Sequence, residues 1–380
     1  MLLHSDRSGA LVAPRSSFAV EVATEPVTAC DLCGGSVFEA ERTSRDLVER
    51  LVAGEHRLVR CAGCRLCFLD PRPRLDQIAR LYPDDYTPHA GGSARRPARW
   101  QELAGGRGAR PSVLGRIAVR IGQNMTFRPI PAWVGDGVIL DVGCGGGAFL
   151  DTMKQLGWTT HGCDAVQAAC DAAARKGHAV RLGSAEELDY PDASFDVVYV
   201  NHVLEHTASP RRALAAMWRV LRPGGQLVLG VPNYGGLQMR ILGRYSTALD
   251  LPRHLYQFDR RTLGRYLAGA GFSDVRLSTR TGSQSLTKAI RLLVNDALGT
   301  GFRREPAWLS APFGPMCFFL GLFGYFGAGR DLRAIATRPA APASRSLRPG
   351  GARAARTPAA RRRRRGSRPT PAPGGRWRSA

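Results

Sequence analysis

A glycine-rich stretch contains the residues whose types and spacing most clearly suggest ligand chemistry. In VILDVGCGGGAFLDTM, Val138–Met153, Asp141 ends a short apolar run and Gly143, Gly145 and Gly147 follow it closely. Glycine lets bare backbone approach a ligand and adopts turns that other residues resist. The spacing fits the loop that cradles a dinucleotide, but the aspartate two residues before the first glycine is unusual there. The stretch therefore predicts a cofactor loop that tolerates a nearby carboxylate.

The two aspartates favour one cofactor over the other. Asp141 would repel a pyrophosphate, whereas it suits the ammonium and sulfonium charges of S-adenosylmethionine, which has no phosphate. Asp164 ends the next predicted strand, in HGCDAV, and can accept hydrogen bonds from two ribose hydroxyls. We therefore predict that Asp141, Asp164 and the three glycines bind S-adenosylmethionine. Cys144 lies inside the loop, but methyl transfer needs no thiol nucleophile.

Other cofactor contacts follow from the alternation of strands and helices. Ala185 and Glu186, in GSAEEL, are expected beside the adenine, and Asn201, after a later strand, is expected to face the methyl group. Because ligands of parallel α/β sheets bind at the carboxyl ends of the strands, these residues should meet at one edge.

Six apolar runs between residues 136 and 280 predict strands separated by helices, which indicates βαβ units and a parallel sheet. A seventh strand is expected near the end of this region, and Ser209-Pro210 has the sequence of a helix start. The predicted strands are Val138–Asp141, Thr160–Asp164, Ala179–Leu182, Asp196–Val200, Gln226–Val231, Val275–Thr279 and Leu332–Thr337. A further helix is predicted over Val113–Phe127.

Four segments in order resemble the motifs of class I S-adenosylmethionine-dependent methyltransferases. They are LDVGCGGGAFL, GCDAV, SFDVVYVNHVLEHTASPRRAL and RVLRPGGQLVLGVPN. The resemblance covers about Val138–Asn233 and implies a Rossmann-like fold with seven mostly parallel strands, the last antiparallel. The later LDLPRHLYQFDRRTLGRYLAGAGF resembles a bacterial subgroup with an N-terminal metal-binding module, whose members are often linked to cell-surface saccharides or secondary metabolites.

Histidines near this region are the candidates for acid–base chemistry. His202 and His206 lie in NHVLEH, and His254 lies in LPRHLYQF, an insert expected to cover the active site. If the acceptor is a hydroxyl, one of them could take its proton. We rank His254 first and expect Arg253 and Tyr256 to contact the substrate. Glu205 with His206 resembles a metal-binding pair of some quinone-ring methyltransferases, although His202 replaces the matching acid.

Two C-x2-C pairs near the N-terminus predict a metal site. Cys30 and Cys33 form the first pair, and Cys61 and Cys64 form the second. Four thiolates at this spacing can surround a tetrahedral Zn²⁺ with no open position, which indicates a structural role in a zinc-ribbon-like module. Cys67 makes an overlapping third pair, and we leave it outside the ligand set.

Composition divides the chain into five parts. More than half of the net charge of +23 comes from thirteen arginines in residues 338–380, a segment without acids that we expect to be a disordered tail. The uncharged stretch 307–329 is expected to pack on the catalytic domain, or otherwise to contact a membrane interface or span a bilayer. The predicted parts are 1–24, an extension; 25–88, the cysteine module; 89–111, a linker; 112–337, the methyltransferase domain; and 338–380, the tail.

Three functions are compatible with these features. The first is methyl transfer to a small molecule, the second is methylation of ribosomal RNA through the zinc module and the basic regions, and the third is a non-catalytic scaffold. The intact aspartates and glycines argue against a scaffold. The N-terminus lacks the apolar core of a secretion signal, and cysteines clustered at metal-ligand spacing indicate a reducing compartment. We therefore expect a cytoplasmic protein. The stretch 307–329 and the tail are the candidates for a peripheral membrane contact.

Overall fold

The computed structural model describes five ranges and the backbone of two short strands nearer the N-terminus. The ranges are 20–82, 96–125, 128–280, 285–300 and 329–340. The N-terminal extension, the apolar segment 307–329 and the arginine-rich tail lie almost entirely outside these residues, so the predictions for them are not addressed. None of the described helices has the length and apolar composition needed to cross a bilayer.

The strands are short in the N-terminal third and longer in the part that follows. In chain order they are β1 (His4–Ser5), β2 (Leu11–Val12), β3 (Thr24–Glu25), β4 (Phe38–Ser44), β5 (His56–Cys61), β6 (Cys67–Leu69), β7 (Arg72–Pro73), β8 (Val138–Val142), β9 (Thr159–Asp164), β10 (Ala179–Leu182), β11 (Phe195–Asn201), β12 (Leu221–Pro232), β13 (Tyr256–Gln257), β14 (Ser273–Arg280) and β15 (Asp331–Thr337).

Helices alternate with the longer strands. They are α1 (Arg99–Gly105), α2 (Val113–Met125), α3 (Ala148–Gln155), α4 (Gln167–Ala174), α5 (Pro210–Val220), α6 (Leu237–Leu242), α7 (Arg260–Gly269) and α8 (Ser285–Leu298). Short 3-10 helices cover Leu75–Leu81, Leu204–His206 and Gly243–Tyr245. As predicted, Ser209 caps α5, because its hydroxyl oxygen accepts the backbone N–H of Arg212.

The large sheet has seven strands in the order β10-β9-β8-β11-β12-β15-β14. The pairs formed by β8 to β12 are parallel, and β15 runs antiparallel to both of its neighbours. All residues of β11 are buried because helices cover both faces of the sheet, which explains its unbroken apolar run. The order reverses between β8 and β11, and the carboxyl ends of these central strands meet at one edge. This Rossmann-like fold confirms the predicted seven-stranded architecture.

A smaller sheet joins the cysteine-rich module to the rest of the chain. Its order is β13-β6-β5-β4, so a strand from the insert after β12 completes the sheet of the N-terminal module. A buried ion pair reinforces the junction, since the guanidinium of Arg253 contacts the carboxylates of Asp46 and Asp250 at 2.5 and 2.6 Å. The module and the insert therefore form one packed structure.

Part of the segment predicted as a linker is helical. The range 89–111 is expected from its composition to be a linker, but its second half contains α1. Gly105, at the end of α1, is buried, and the indole N–H of Trp158 donates to its carbonyl. Part of this segment is therefore packed against the domain. The predicted helix over Val113–Phe127 is found as α2.

Candidate functional site

The glycine loop connects β8 to α3 at the carboxyl edge of the sheet. Gly143, Gly145 and Gly147 all have φ between 54° and 79°, in the left-handed region that favours glycine. A Cβ on Gly143 would lie 2.2 Å from a methyl carbon of Val203, so the loop after β11 packs directly on the glycine loop. A side chain at this position would force the two loops apart.

The two predicted aspartates flank this loop. The carboxylate of Asp164 accepts the backbone N–H of Gly145 at 2.8 Å and that of Val166 at 3.0 Å, which fixes its orientation at the end of β9. Asp141 is 1% exposed, and its Oδ1 has no hydrogen-bond partner among the described residues. The other oxygen lies 3.3 Å from a guanidinium nitrogen of Arg128. Burial raises the pKa of Asp141 to about 7, although Arg128 opposes this shift.

A buried acceptor oxygen without a partner is costly unless a ligand supplies a donor. The ammonium of S-adenosylmethionine is such a donor, and the residues present therefore fit this cofactor. Nearby, the side-chain amide nitrogen of Asn201 is also buried without a partner among the described residues. Arg128 was missed by sequence reasoning, because it follows α2 and has no motif around it.

The two residues predicted to lie beside the adenine, Ala185 and Glu186, differ in their surroundings. Ala185 is buried, but the Glu186 carboxylate accepts the backbone N–H groups of Ala208 and Ser209 at 2.7 and 3.3 Å. This side chain therefore anchors the start of α5, and its expected contact with adenine stays a prediction.

Three histidines converge on one buried carboxylate beside the glycine loop. Nδ1 of His202 lies 3.0 Å from Oε1 of Glu205, and Nε2 of His206 and of His254 lie 4.0 and 3.9 Å from the same oxygen. Burial opposes ionisation of Glu205, but the surrounding histidines, His202 foremost, together outweigh burial and lower the carboxyl pKa. Ligand atoms of Glu205, His206 and His254 lie within 4.8 Å of one another, so the group can exchange a proton or hold a cation.

Backbone carbonyls set the tautomers of two of these rings. Nδ1 of His254 lies 2.9 Å from the carbonyl of Ala248, and Nδ1 of His206 lies 3.0 Å from that of Arg253. Since a carbonyl only accepts, Nδ1 carries the hydrogen in each ring and Nε2 carries a lone pair. Burial lowers the pKa of His254 to about 4, so this ring is neutral at pH 7.

The two residues predicted to contact substrate have structural partners. The side chain of Arg253 has no exposed surface, and its guanidinium is held by two carboxylates and by the carbonyl of Leu81. The buried hydroxyl of Tyr256 donates to the carbonyl of Ala208 at 3.1 Å. The geometry therefore favours structural roles for both. The sequence could not show this for Arg253, because its partner Asp46 is 207 residues away.

The four predicted zinc ligands come together. Sγ of Cys30 lies 3.4 Å from that of Cys64, and Sγ of Cys33 lies 3.5 Å from that of Cys61. All four sulfurs lie within 4.8 Å of one another. A tetrahedral zinc with Zn–S bonds of about 2.3 Å requires sulfurs about 3.8 Å apart, so this arrangement fits the ion. Cys67 is buried and is not part of the group.

Fold and site together define a class I methyltransferase architecture, and comparisons with known proteins agree. Residues 140–229 match the model of a family described as a methyltransferase domain. The chain is 38% identical over 106 residues to an uncharacterized 37.1 kDa protein in transposon TN4556 of Streptomyces fradiae, which corresponds to 26% of this chain and 31% of that protein. It is 31% identical to a ubiquinone biosynthesis O-methyltransferase of Mesorhizobium japonicum, over 44% of this chain and 70% of the relative.

The chain belongs to the S-adenosylmethionine-dependent methyltransferases. It spans less than two thirds of some relatives, since it covers 62% of a ubiquinone biosynthesis O-methyltransferase of Maricaulis maris. A solved methyltransferase from Archaeoglobus fulgidus matches 59% of this chain and 92% of its own, at 22% identity and a TM-score of 0.38. That score is too low to add to the fold assignment, which rests on the strand order.

Proposed function

We propose that this chain catalyses S-adenosylmethionine-dependent methyl transfer to a small-molecule acceptor, a saccharide or a secondary-metabolite intermediate. The observation that carries the proposal is a buried carboxylate oxygen of Asp141, beside a left-handed glycine loop, that has no hydrogen-bond partner in the described part of the chain. The named methyltransferases among the relatives reported above support it. The saccharide or metabolite class rests on the resemblance of the LPRHLYQF insert.

Each cofactor-binding residue has a distinct task in this proposal. S-adenosylmethionine supplies an electrophilic methyl group on a positively charged sulfur. Asp164, held in place by two backbone N–H groups, accepts hydrogen bonds from the ribose hydroxyls. Asp141 attracts the ammonium, and the glycine backbone allows the methionine portion to lie close. Their combined effect is to fix the donor so that an acceptor can attack in line, which lowers the entropic cost of the reaction.

The histidines supply a proton acceptor. Nε2 of His254 carries a lone pair and lies 3.9 Å from Oε1 of Glu205, so an acceptor hydroxyl beside both groups can give its proton to His254 while the carboxylate stabilises the charge that results. His206 has the same tautomer and its ring lies 4.8 Å from that of His254. Nδ1 of His202 lies 3.0 Å from Oε1 of Glu205, and this close contact helps to position the carboxylate. We propose His254 as the base.

The four cysteines are proposed to hold a structural zinc ion. Filling all four positions with thiolates leaves no place for a substrate, so the ion stabilises the module and takes no part in methyl transfer. The module in turn supports the insert that carries His254, because β6 pairs with β13.

Radiolabelled S-adenosylmethionine tests the function. The full chain is incubated with methyl-tritiated cofactor and, separately, with a low-molecular-weight metabolite fraction and an RNA fraction. The proposal predicts label in the metabolite fraction, and at subsaturating cofactor the Asp164→Ala variant should incorporate far less of it. Label in RNA alone would establish the ribosomal RNA alternative instead. Mass spectrometry of the labelled product then names the acceptor.

A further inference from the structure

The helix α2 presents its apolar side to solvent. Val113, Leu114, Ile117 and Ile121 are 66%, 77%, 51% and 50% exposed. With 100° between successive residues, these four side chains fall within one 100° sector of the helix, which we call the α2 stripe. A helix on the surface of a globular protein normally turns such a stripe inward. Here the opposite orientation requires a partner for the apolar face.

The packing of α2 shows that this orientation is fixed. Its inward side carries Gly115 and Gly122. A Cβ on Gly122 would lie 2.3 Å from the indole ring of Trp100, and one on Gly115 would lie 3.1 Å from Pro111. Only a glycine side of α2 can approach α1 this closely. Rotating the helix to bury the α2 stripe would press side chains into the Trp100 ring.

The arginines that border the α2 stripe indicate what kind of partner covers it. Arg116 and Arg120 are exposed along one flank of the stripe, and Arg110 is exposed just before the helix. From Leu103 to Gly135 the sequence contains five arginines and no acidic residue. An apolar helix side bordered by cations suits the boundary between lipid headgroups and acyl chains, especially where the headgroups are anionic.

We propose that α2 is an in-plane membrane contact that inserts the α2 stripe into a bilayer containing anionic lipid. The stripe is distinct from the apolar segment 307–329. It is also tied to the active-site edge, since Arg333 of β15 donates to the carbonyl of Gln123 in α2. A chain seated on a bilayer through α2 therefore holds the carboxyl edge of its sheet near the membrane surface.

Depth-dependent fluorescence tests this proposal with the full chain. Leu114→Trp places a reporter in the stripe, and Leu182→Trp places one at an exposed apolar position on β10. Vesicles contain phosphatidylcholine with phosphatidylglycerol, with or without brominated acyl chains. We expect bromine to quench the added emission of Leu114→Trp at least twofold more than that of Leu182→Trp. Equal quenching would overturn the proposal, even if the arginine-rich C-terminus holds the chain on the vesicles.

Sedimentation with the same vesicles supplies a second arm. The pair Leu114→Ser and Ile117→Ser should lower the partition coefficient about tenfold, whereas Leu182→Ser should leave it unchanged. Cofactor binding confirms that each variant is folded. A second copy of the chain is the competing partner. If the wild type is dimeric without lipid and the double variant is monomeric, the stripe is a protein interface and the membrane proposal is wrong.

Discussion

Replacing Arg253 with methionine tests whether this residue has a structural role or binds the substrate. The side chains of Arg253 and Asp46 have no exposed surface, and two of the guanidinium nitrogens contact the two Asp46 carboxylate oxygens at 2.5 and 3.1 Å. Asp250 accepts two further hydrogen bonds from the same guanidinium. Methionine fills a similar volume but leaves two carboxylates without their counter-charge. Removing one partner of a buried ion pair costs about 3–5 kcal/mol, and we expect a loss of this size.

Urea denaturation of wild type and variant measures the loss in the free energy of unfolding. The matched control is Arg212→Met, because Arg212 also pairs with a carboxylate, Glu187, but the two side chains are 64% and 74% exposed. An exposed pair contributes at most about 1 kcal/mol, so the control should change little. Adding Asp46→Asn to Arg253→Met should recover part of the loss. If Arg253→Met is as stable as the control while the KM for the acceptor rises, Arg253 binds substrate and our interpretation is wrong.

Three further variants test the cofactor, the metal and the buried histidine. Calorimetry should show that Asp164→Ala weakens cofactor binding by about 1.5–3 kcal/mol, roughly 10- to 150-fold. Asp171→Ala, at an exposed aspartate of α4, should bind the cofactor with the affinity of the wild type. Equal affinities of the two variants would mean that the ribose is held elsewhere. Cys30→Ser should release zinc as measured by elemental mass spectrometry, whereas Cys67→Ser should retain it, and a zinc content that responds only to Cys67 would refute the assigned ligands. The pKa of His254 is about 4 in the folded chain and about 6.5 when unfolded, so the unfolded state takes up a proton first and stability falls as the pH drops through this window. Between pH 7 and pH 4.5, His254 should lower the free energy of unfolding of the wild type by on the order of 2 kcal/mol, and His254→Gln should lack this contribution. If the pH profile of the variant matches that of the wild type, His254 is not buried in neutral form.

The strands and the cofactor loop could be predicted because their signals are local. β11 is buried on both faces, so its apolar run is continuous, and Asp141 and the glycines lie within a few residues of one another. Because each motif follows a strand of a parallel sheet, the order of the motifs also predicts which residues meet at the carboxyl edge. The cysteine pairs could be predicted for the same reason, since each pair needs only two intervening residues.

Contacts between distant segments could not be predicted in this way. Nothing near Arg253 in the sequence indicates that Asp46 neutralises it, and LPRHLYQF reads equally well as a substrate-binding insert. The same limit applies to β13, which pairs with β6 of the cysteine module. The amphipathic pattern of α2 predicts a helix but not which side faces inward, since that depends on the fit of Gly122 against Trp100.

Cofactor selectivity tests the central claim most directly. Parallel calorimetric titrations of the full chain with S-adenosylhomocysteine, S-adenosylmethionine and NAD should show one site per chain for the two sulfur compounds and no heat of binding for the dinucleotide. Binding of NAD in their place would contradict the assignment, because the Asp141 carboxylate would then lie beside a pyrophosphate that it should repel.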